Sequence, residues 1–322
     1  MGSESPSSSA PSRRQLARLR DELVENQVSC PLHGPVGDRL LEELAYARGP
    51  HIHESRVPTY GCVILVDPDG VGDDVAAEVI EASDMETPVL RRFADGTRVF
   101  LVAAGARTIG LACLDQNADE ERTVIRFVRR SGAIVIRRAD DGHVSVVTEA
   151  GVAVWDGTRW LQKPHADRAT DLLHGTLADT NPDVLEGLME LCLHWLMPAR
   201  VGAVVVWHPA KHADELDGLE GIRTLTPVLT VTNELHRPAL RSAVSQADGA
   251  VLVGPAGDVL AYGATLLPTQ QAIAEIPPSG GTRQTSAHRF SFDHPEAVIV
   301  SVSDDGPLTL YNDGKRLDLV LY

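Results

Sequence analysis

The sequence predicts an α/β fold in two domains, and three observations carry that prediction. Short β-branched runs ended by Gly or Asp-Gly turns alternate with helical stretches. A well-marked helix over 181–198 leads into "VGAVVVW" (201–207), a run apolar on both faces, as a central strand must be. The pattern breaks at "RWLQKPHADRATDLLHG" (159–175), which puts a domain boundary near residue 168. The expected layout is a disordered tail over 1–12, a strand-rich α/β domain over 13–168 and a second α/β domain over 169–322.

Each element has its own warrant. "MGSESPSSSAPS" is Ser/Pro-rich and cannot bury apolar surface, hence the tail. Residues 13–28 and 37–48 have helical spacing, with Leu40, Leu41 and Leu44 on one face. Strands are expected at "YGCVILVDPDG" (60–70), "RVFLVAA" (98–104), "TIGLACLD" (108–115), "TVIRFV" (123–128), "GAIVIRRADDG" (132–142), "HVSVVTEAG" (143–151) and "VAVWDG" (152–157). "GDDVAAEVIEAS" (72–83) reads as a helix with acidic residues in its first turn, and "DQNADEER" (115–122) as a solvated loop. In the second domain Asn181 suits a helix cap and Pro182 the first helical position. Val184, Leu188, Leu191 and Trp195 then form an apolar stripe. Further strands are expected at "DGAVLVG" (248–254), "VLAYGATLL" (259–267), "AVIVSVS" (297–303) and "LTLYND" (308–313).

Composition narrows the function. The chain is 322 residues, 43% apolar and 23% charged, enough for a sizeable core. Its formal charge of −16 opposes binding along a nucleic-acid backbone but permits a small basic pocket for one nucleotide. No apolar run approaches the ~18 residues of a membrane helix, and no signal peptide is visible, so no membrane partner is expected. The four cysteines, Cys30, Cys62, Cys113 and Cys192, have no framework spacing, which fits reduced thiols and a cytoplasmic location. Cys30, His33, His51, His53 and Cys62 are metal-ligand types, but their spacing matches no zinc pattern, and Cys62 opens an apolar strand.

Two stretches carry chemistry. "ADGAVLVG" (247–254) puts Asp248 at the mouth of a strand, where it is either an ordinary turn residue or a site residue. "GGTRQTS" (280–286) is a glycine-rich turn followed by Thr282 and Arg283, either a flexible loop or a phosphate cradle. Helix, Pro and "RVGAVVVW", then "DGAVLVGPAGDVLAYGATLLP", then "GGTR", then "AVIVSVSDDGPLTLYNDG", in this order, resemble the diadenylate cyclase (DAC) domain over residues 180–322.

The resemblance implies a mixed sheet flanked by helices and an enzyme that condenses two ATP into cyclic di-AMP. Each domain binds one ATP, so a homo-oligomer is implied, with two domains meeting face to face. Asp248 and Arg283 are the implied catalytic residues. Gly249, Ala250, Leu266, Gly281, Thr282, Arg283 and Gln284 are implied to bind nucleotide. Asp248 and Asp304 are implied to hold Mg2+ or Mn2+, although Asp304 equally suits a solvated hairpin turn. The family's motif continues Gly-Thr-Arg-His-Arg, whereas here Gln284 and Thr285 follow, and His288 and Arg289 are the nearby residues able to substitute. That departure puts turnover in doubt more than binding, and a nucleotide-binding regulator on the same fold is the alternative. A sensor role for the first domain is implied, its ligand unreadable.

Overall fold

The computed structural model describes residues 11–49, 57–67, 77–82, 84–115, 117–118, 120–174, 181–211, 215–304 and 308–318. The chain forms two compact units that divide between Gln162 and Lys163.

The first unit opens with α1 (Arg13–Glu25), started by a capping box in which the Ser12 hydroxyl accepts from the Gln15 N–H and Gln15 Oε1 accepts from the Ser12 N–H at 2.7 Å. There follow α2 (Gly34–Arg48), β1 (Tyr60–Leu65), β2 (Ala77–Glu81), α3 (Thr87–Leu90), β3 (Val99–Ala104), β4 (Arg107–Leu114), α4 (Glu121–Ser131), β5 (Ile134–Arg138), β6 (Val144–Thr148), β7 (Gly151–Trp155) and β8 (Trp160–Lys163). The described strands make one mixed sheet in the order β2-β4-β3-β1-β5-β6-β7-β8, with β1 parallel to β3 and antiparallel to β5. Tyr60, Cys62 and Ile64 of β1 face a core shared with Leu40, Leu41 and Leu44 of α2, while Val63 and Leu65 face Val124, Ile125 and Val128 of α4. Both faces of β1 are covered, which is why it reads as an unbroken apolar run.

Two expectations fail here, each for a physical reason. The helix expected over 72–83 is strand β2 in its described part, paired antiparallel with β4 through Val79↔Ala112. A sheet edge and two β-branched residues, Val79 and Ile80, outweigh the helix-like acidic start. The strand expected over 123–128 is helix α4. Val124, Ile125 and Val128 are buried at helical spacing, Arg129 and Arg130 stay exposed, and Gly132 closes it with φ 62. That helix also takes in Glu121 and Arg122 from the expected loop. The break at 159–175 holds strand β8 and helix α5 (Ala166–His174).

The second unit continues with α6 (Pro182–Leu191), a π-helical turn (Cys192–Leu196), β9 (Ala203–Trp207), β10 (Leu219–Glu220), β11 (Arg223–Thr230), a 3-10 turn (Glu234–His236), α7 (Arg237–Ser245), β12 (Ala250–Val253), β13 (Asp258–Leu266), α8 (Gln270–Glu275), α9 (Thr282–Asp293), β14 (Val298–Val302), β15 (Leu308–Asn312) and β16 (Lys315–Asp318). Asn181 caps α6 by accepting from the Asp183 N–H. The sheet order is β10-β13-β12-β9-β14-β15-β16, with β11 also paired to β13. Strand β9 sits inside it, parallel to β12 and antiparallel to β14. Its Val205 and Trp207 pack with Leu188, Met189 and the π turn, and its Val204 and Val206 pack with Ala287 and Phe290 of α9. The sheet is therefore mixed, with helices on both faces. Among the described residues no helix is long and apolar enough to cross a membrane.

Candidate functional site

The site lies where β9 and β12 begin and α9 starts. The parallel register pairs Ala250 with Val204, so Asp248 and Gly202 each lie two residues ahead of that pair, at adjacent strand mouths. Gly249, between Asp248 and the strand, has φ 109, and a Cβ there would lie 2.6 Å from the Gly263 carbonyl carbon. Only glycine fits this conformation and this approach of β13. Opposite, α9 starts at Thr282 after Gly281, an N-cap without a side-chain cap. Its first-turn N–H groups are thus left for another acceptor, and a 12-residue helix adds its positive end.

Between these walls is an open pocket of about 230 Å³. Val204, Ala250, Ala264 and Leu266 line it with apolar surface. Asp248 and Gly249 stand on one wall, and Thr282, Arg283 and Ser286 on the α9 wall, with Thr265 beside them. Thr282 and Ser286 are one helical turn apart, so both hydroxyls share a face with the guanidinium. An apolar floor, one carboxylate, one guanidinium, three hydroxyls and a helix N-terminus make a site suited to a flat apolar group bearing phosphates.

Residues 191–316 match the family described as "DisA bacterial checkpoint controller nucleotide-binding" (DAC). The second unit is a DAC domain. Residues 17–164, almost all of the first unit, match the family described as "Probable sensor domain DACNK". Among solved structures, a hypothetical membrane spanning protein from Bacillus cereus is similar at 24% identity, covering 47% of this chain and 70% of that one, with a TM-score of 0.37. A double-cysteine variant of DacA from Staphylococcus aureus is similar at 20% identity, covering 42% of this chain and 85% of that one, with a TM-score of 0.33. No curated protein matches the chain.

Of the residues singled out in the DAC domain's sequence, Asp248, Gly249, Ala250, Leu266, Thr282 and Arg283 come together in the pocket. Val204, Ala264, Thr265 and Ser286 join them without having been singled out. The first three lie in strands that looked like plain core, and only Ser286, four residues after Thr282, carried a helical-spacing signal. Gly281, Gln284 and Asp304 are not among the lining residues. Gly281 is the helix cap. Gln284 turns back onto Gly280, where an added Cβ would overlap its Oε1. The Thr285 hydroxyl donates to the Ser279 carbonyl at 3.1 Å and accepts from the Ser279 N–H at 3.2 Å, bracing the glycine turn. Asp304 is exposed and stands 3.9 Å from the Arg283 guanidinium.

His288 and Arg289 are not among the lining residues either. His288 stacks on Tyr311, with ring centroids 5.0 Å apart, and bonds the Gly314 carbonyl through Nε2; Arg289 donates from Nε to the Ile276 carbonyl at 2.9 Å. Both are committed to packing α9.

Among the described residues no group of three or more His, Cys, Asp or Glu is placed to hold a metal ion. Burial pushes the Cys30 thiol up to about 12. His51 and His53 lie outside the described residues. At the pocket the donors are hard oxygens. One carboxylate there fits a Mg2+ or Mn2+ whose remaining ligands are phosphate oxygens and water.

Proposed function

We propose that the DAC domain joins two ATP molecules into cyclic di-AMP with release of two pyrophosphates. The observation that carries this reading is the placement of Asp248 at the β12 mouth across one pocket from the uncapped start of α9 with its Thr282 and Arg283. In each of two equivalent steps a bond forms from a 3′-oxygen to an α-phosphorus, and the bond from that phosphorus to the pyrophosphate oxygen breaks. The α9 N–H groups, Thr282 and Arg283 hold the phosphates and stabilise the charge on the leaving pyrophosphate. The floor of Val204, Ala250, Ala264 and Leu266 takes the apolar face of the nucleoside. Asp248, directly before the strand, faces the end of the site where the hydroxyl is activated.

Bound Mg2+ or Mn2+ would neutralise phosphate charge and acidify the hydroxyl. Asp248 would hold it, with Asp304 as the further carboxylate. The pocket is smaller than the roughly 300–1,000 Å³ of a site that encloses a drug-sized ligand. One domain therefore leaves part of an ATP uncovered, which supports two domains meeting face to face and a homo-oligomer in the active state.

A second reading rests on its own observation. Gln284 and Thr285 both serve the 279–285 turn, so among the described residues one guanidinium lines the pocket. A missing charge-assisted contact is worth roughly 1.5–3 kcal/mol. That favours a regulatory DAC domain that binds nucleotide and turns it over slowly or not at all.

Incubating the full chain with ATP and Mg2+ or Mn2+, with products resolved by chromatography, separates the two. Cyclic di-AMP formed by the parent and lost in Asp248→Asn is expected. ATP binding by calorimetry with no product selects the second reading, and no ATP binding sinks both.

A further inference from the structure

Gly202 stands just before β9, and Asp248 stands at the mouth of the neighbouring strand β12. The Arg283 guanidinium lies against its bare Cα. A Cβ added at Gly202 would overlap Arg283 Nη1 and sit 3.0 Å from its Cζ. The missing side chain is thus the space that the guanidinium occupies. The left-handed backbone conformation that would itself require glycine is absent at this position. Space for Arg283, rather than backbone freedom, is what the absent side chain provides.

We propose that Gly202 is a positioning residue: it forms the seat that holds Arg283 over the pocket, beside Asp248. Resting on the nucleotide reading above, this makes the strand-mouth glycine part of the phosphate grip, although it bears no group that touches phosphate. Among the described residues Arg283 also pairs with Asp304, at 3.9 Å, with the two side chains 52% and 66% exposed. A pair that open to water fixes a long side chain weakly. Steric shape therefore dominates the seat, and charge is the lesser part. Because the overlapping atom is the far end of a flexible side chain, a methyl at 202 leaves the strand intact and displaces the arginine.

The test is a double-variant cycle on ATP affinity, measured by calorimetry with Mg2+ on the full chain. Arg283→Ala and Gly202→Ala are each expected to weaken ATP binding roughly tenfold, the scale of one charge-assisted contact. Gly202→Ala added to Arg283→Ala is expected to change nothing further, since the seat is then empty. The melting midpoint of Gly202→Ala is expected to stay at that of the parent. Parent-like ATP affinity in Gly202→Ala, or effects that multiply in the double variant, would overturn the seat while leaving the nucleotide reading standing. Failure of the parent to bind ATP would overturn both. Should Gly202→Ala fail to fold, the double variant decides: folding restored by Arg283→Ala upholds the seat, and failure of both overturns it.

Discussion

Charged residues occur in two settings in this molecule, and the contrast separates structure from function. In the first unit Glu43 is fully buried and both its oxygens are engaged. Arg91 grips it in a fork at 2.9 and 3.0 Å, the Tyr60 hydroxyl donates to it at 2.5 Å, and Arg39 Nε stands 3.0 Å away. Arg39 in turn donates to the Thr108 hydroxyl at 2.8 Å. Burial lifts the Tyr60 hydroxyl well above its ordinary pKa, so it remains a donor. In the second unit Asp248, Arg283 and Asp304 are exposed, and the Arg283–Asp304 ion pair is long at 3.9 Å. A network that closes on itself specifies a fold. Charges held apart around a pocket leave their bonding capacity to a ligand.

The largest effect expected from this contrast is at Glu43. Glu43→Gln takes the buried counter-charge from Arg91 and leaves Arg39 only its longer pair with Glu42 at 3.7 Å, and the first unit should lose about 3–5 kcal/mol. Hydrogen exchange of the β1 amides reads this directly; a loss under about 1 kcal/mol would break the distinction between the settings. Arg283→Ala should do the reverse: ATP affinity falls by about 1.5–3 kcal/mol while urea stability moves by no more than about 0.5 kcal/mol. A large stability loss there would mean the site is structural after all. Gly249→Ala should cost the second unit about 1–3 kcal/mol, because its φ of 109 and the approach of Gly263 leave no room for a side chain.

A titration sharpens the same comparison within the DAC domain. His208 is buried, and its Nδ1 accepts from the N–H groups of Ala210 and Lys211 at 3.1 and 3.0 Å. Burial first, and then nearby Lys211, hold its pKa below the ordinary histidine value, against the opposing pull of Glu296. The folded state thus binds fewer protons than the unfolded chain. This stabilisation is complete above about pH 6.5 and is lost as pH falls through the depressed folded value. The urea midpoint should therefore drop on acidification below neutrality, and less steeply in His208→Gln; an equal slope in both would assign the effect elsewhere, with His294 next in line because its pKa is lowered too. The smallest effect belongs to Asp304. As half of an exposed pair, Asp304→Asn should shift stability by under about 1 kcal/mol, so any larger change in product formation would come from a role at the nucleotide.

Much of the fold was legible because burial on both faces leaves a strong mark. Strands β1, β9, β12 and β14 are apolar runs, and the Asn181-Pro182 start marked α6 without ambiguity. The failures share one cause. Val124, Ile125 and Val128 favour a strand by side-chain type, and their one-and-four spacing shows a helix only once a sheet face is there to receive it. Val79 and Ile80 went the opposite way because β4 had an edge to pair. Residues 208–247, which hold β10, β11 and α7, carried no pattern strong enough to read in advance. At the site, Asp248 and Thr282-Arg283 stood out as residue types with chemistry. Val204 and Ala264 did not, because a lining residue and a core residue look alike in sequence.

The sequence by itself determined the two-domain α/β order, the family blocks over the second half, and the presence of a strand-mouth carboxylate and a Gly-Gly-Thr-Arg turn. Tertiary structure alone decided which of these residues meet. It brought Asp248 and Arg283 to one pocket across some 35 residues of chain, turned Gln284 and Thr285 inward to brace the turn, committed His288 and Arg289 to packing, and laid a guanidinium on Gly202. The reason is physical: composition and periodicity fix which face of an element is apolar. The direction of each polar side chain is set by the neighbours that the fold places beside it.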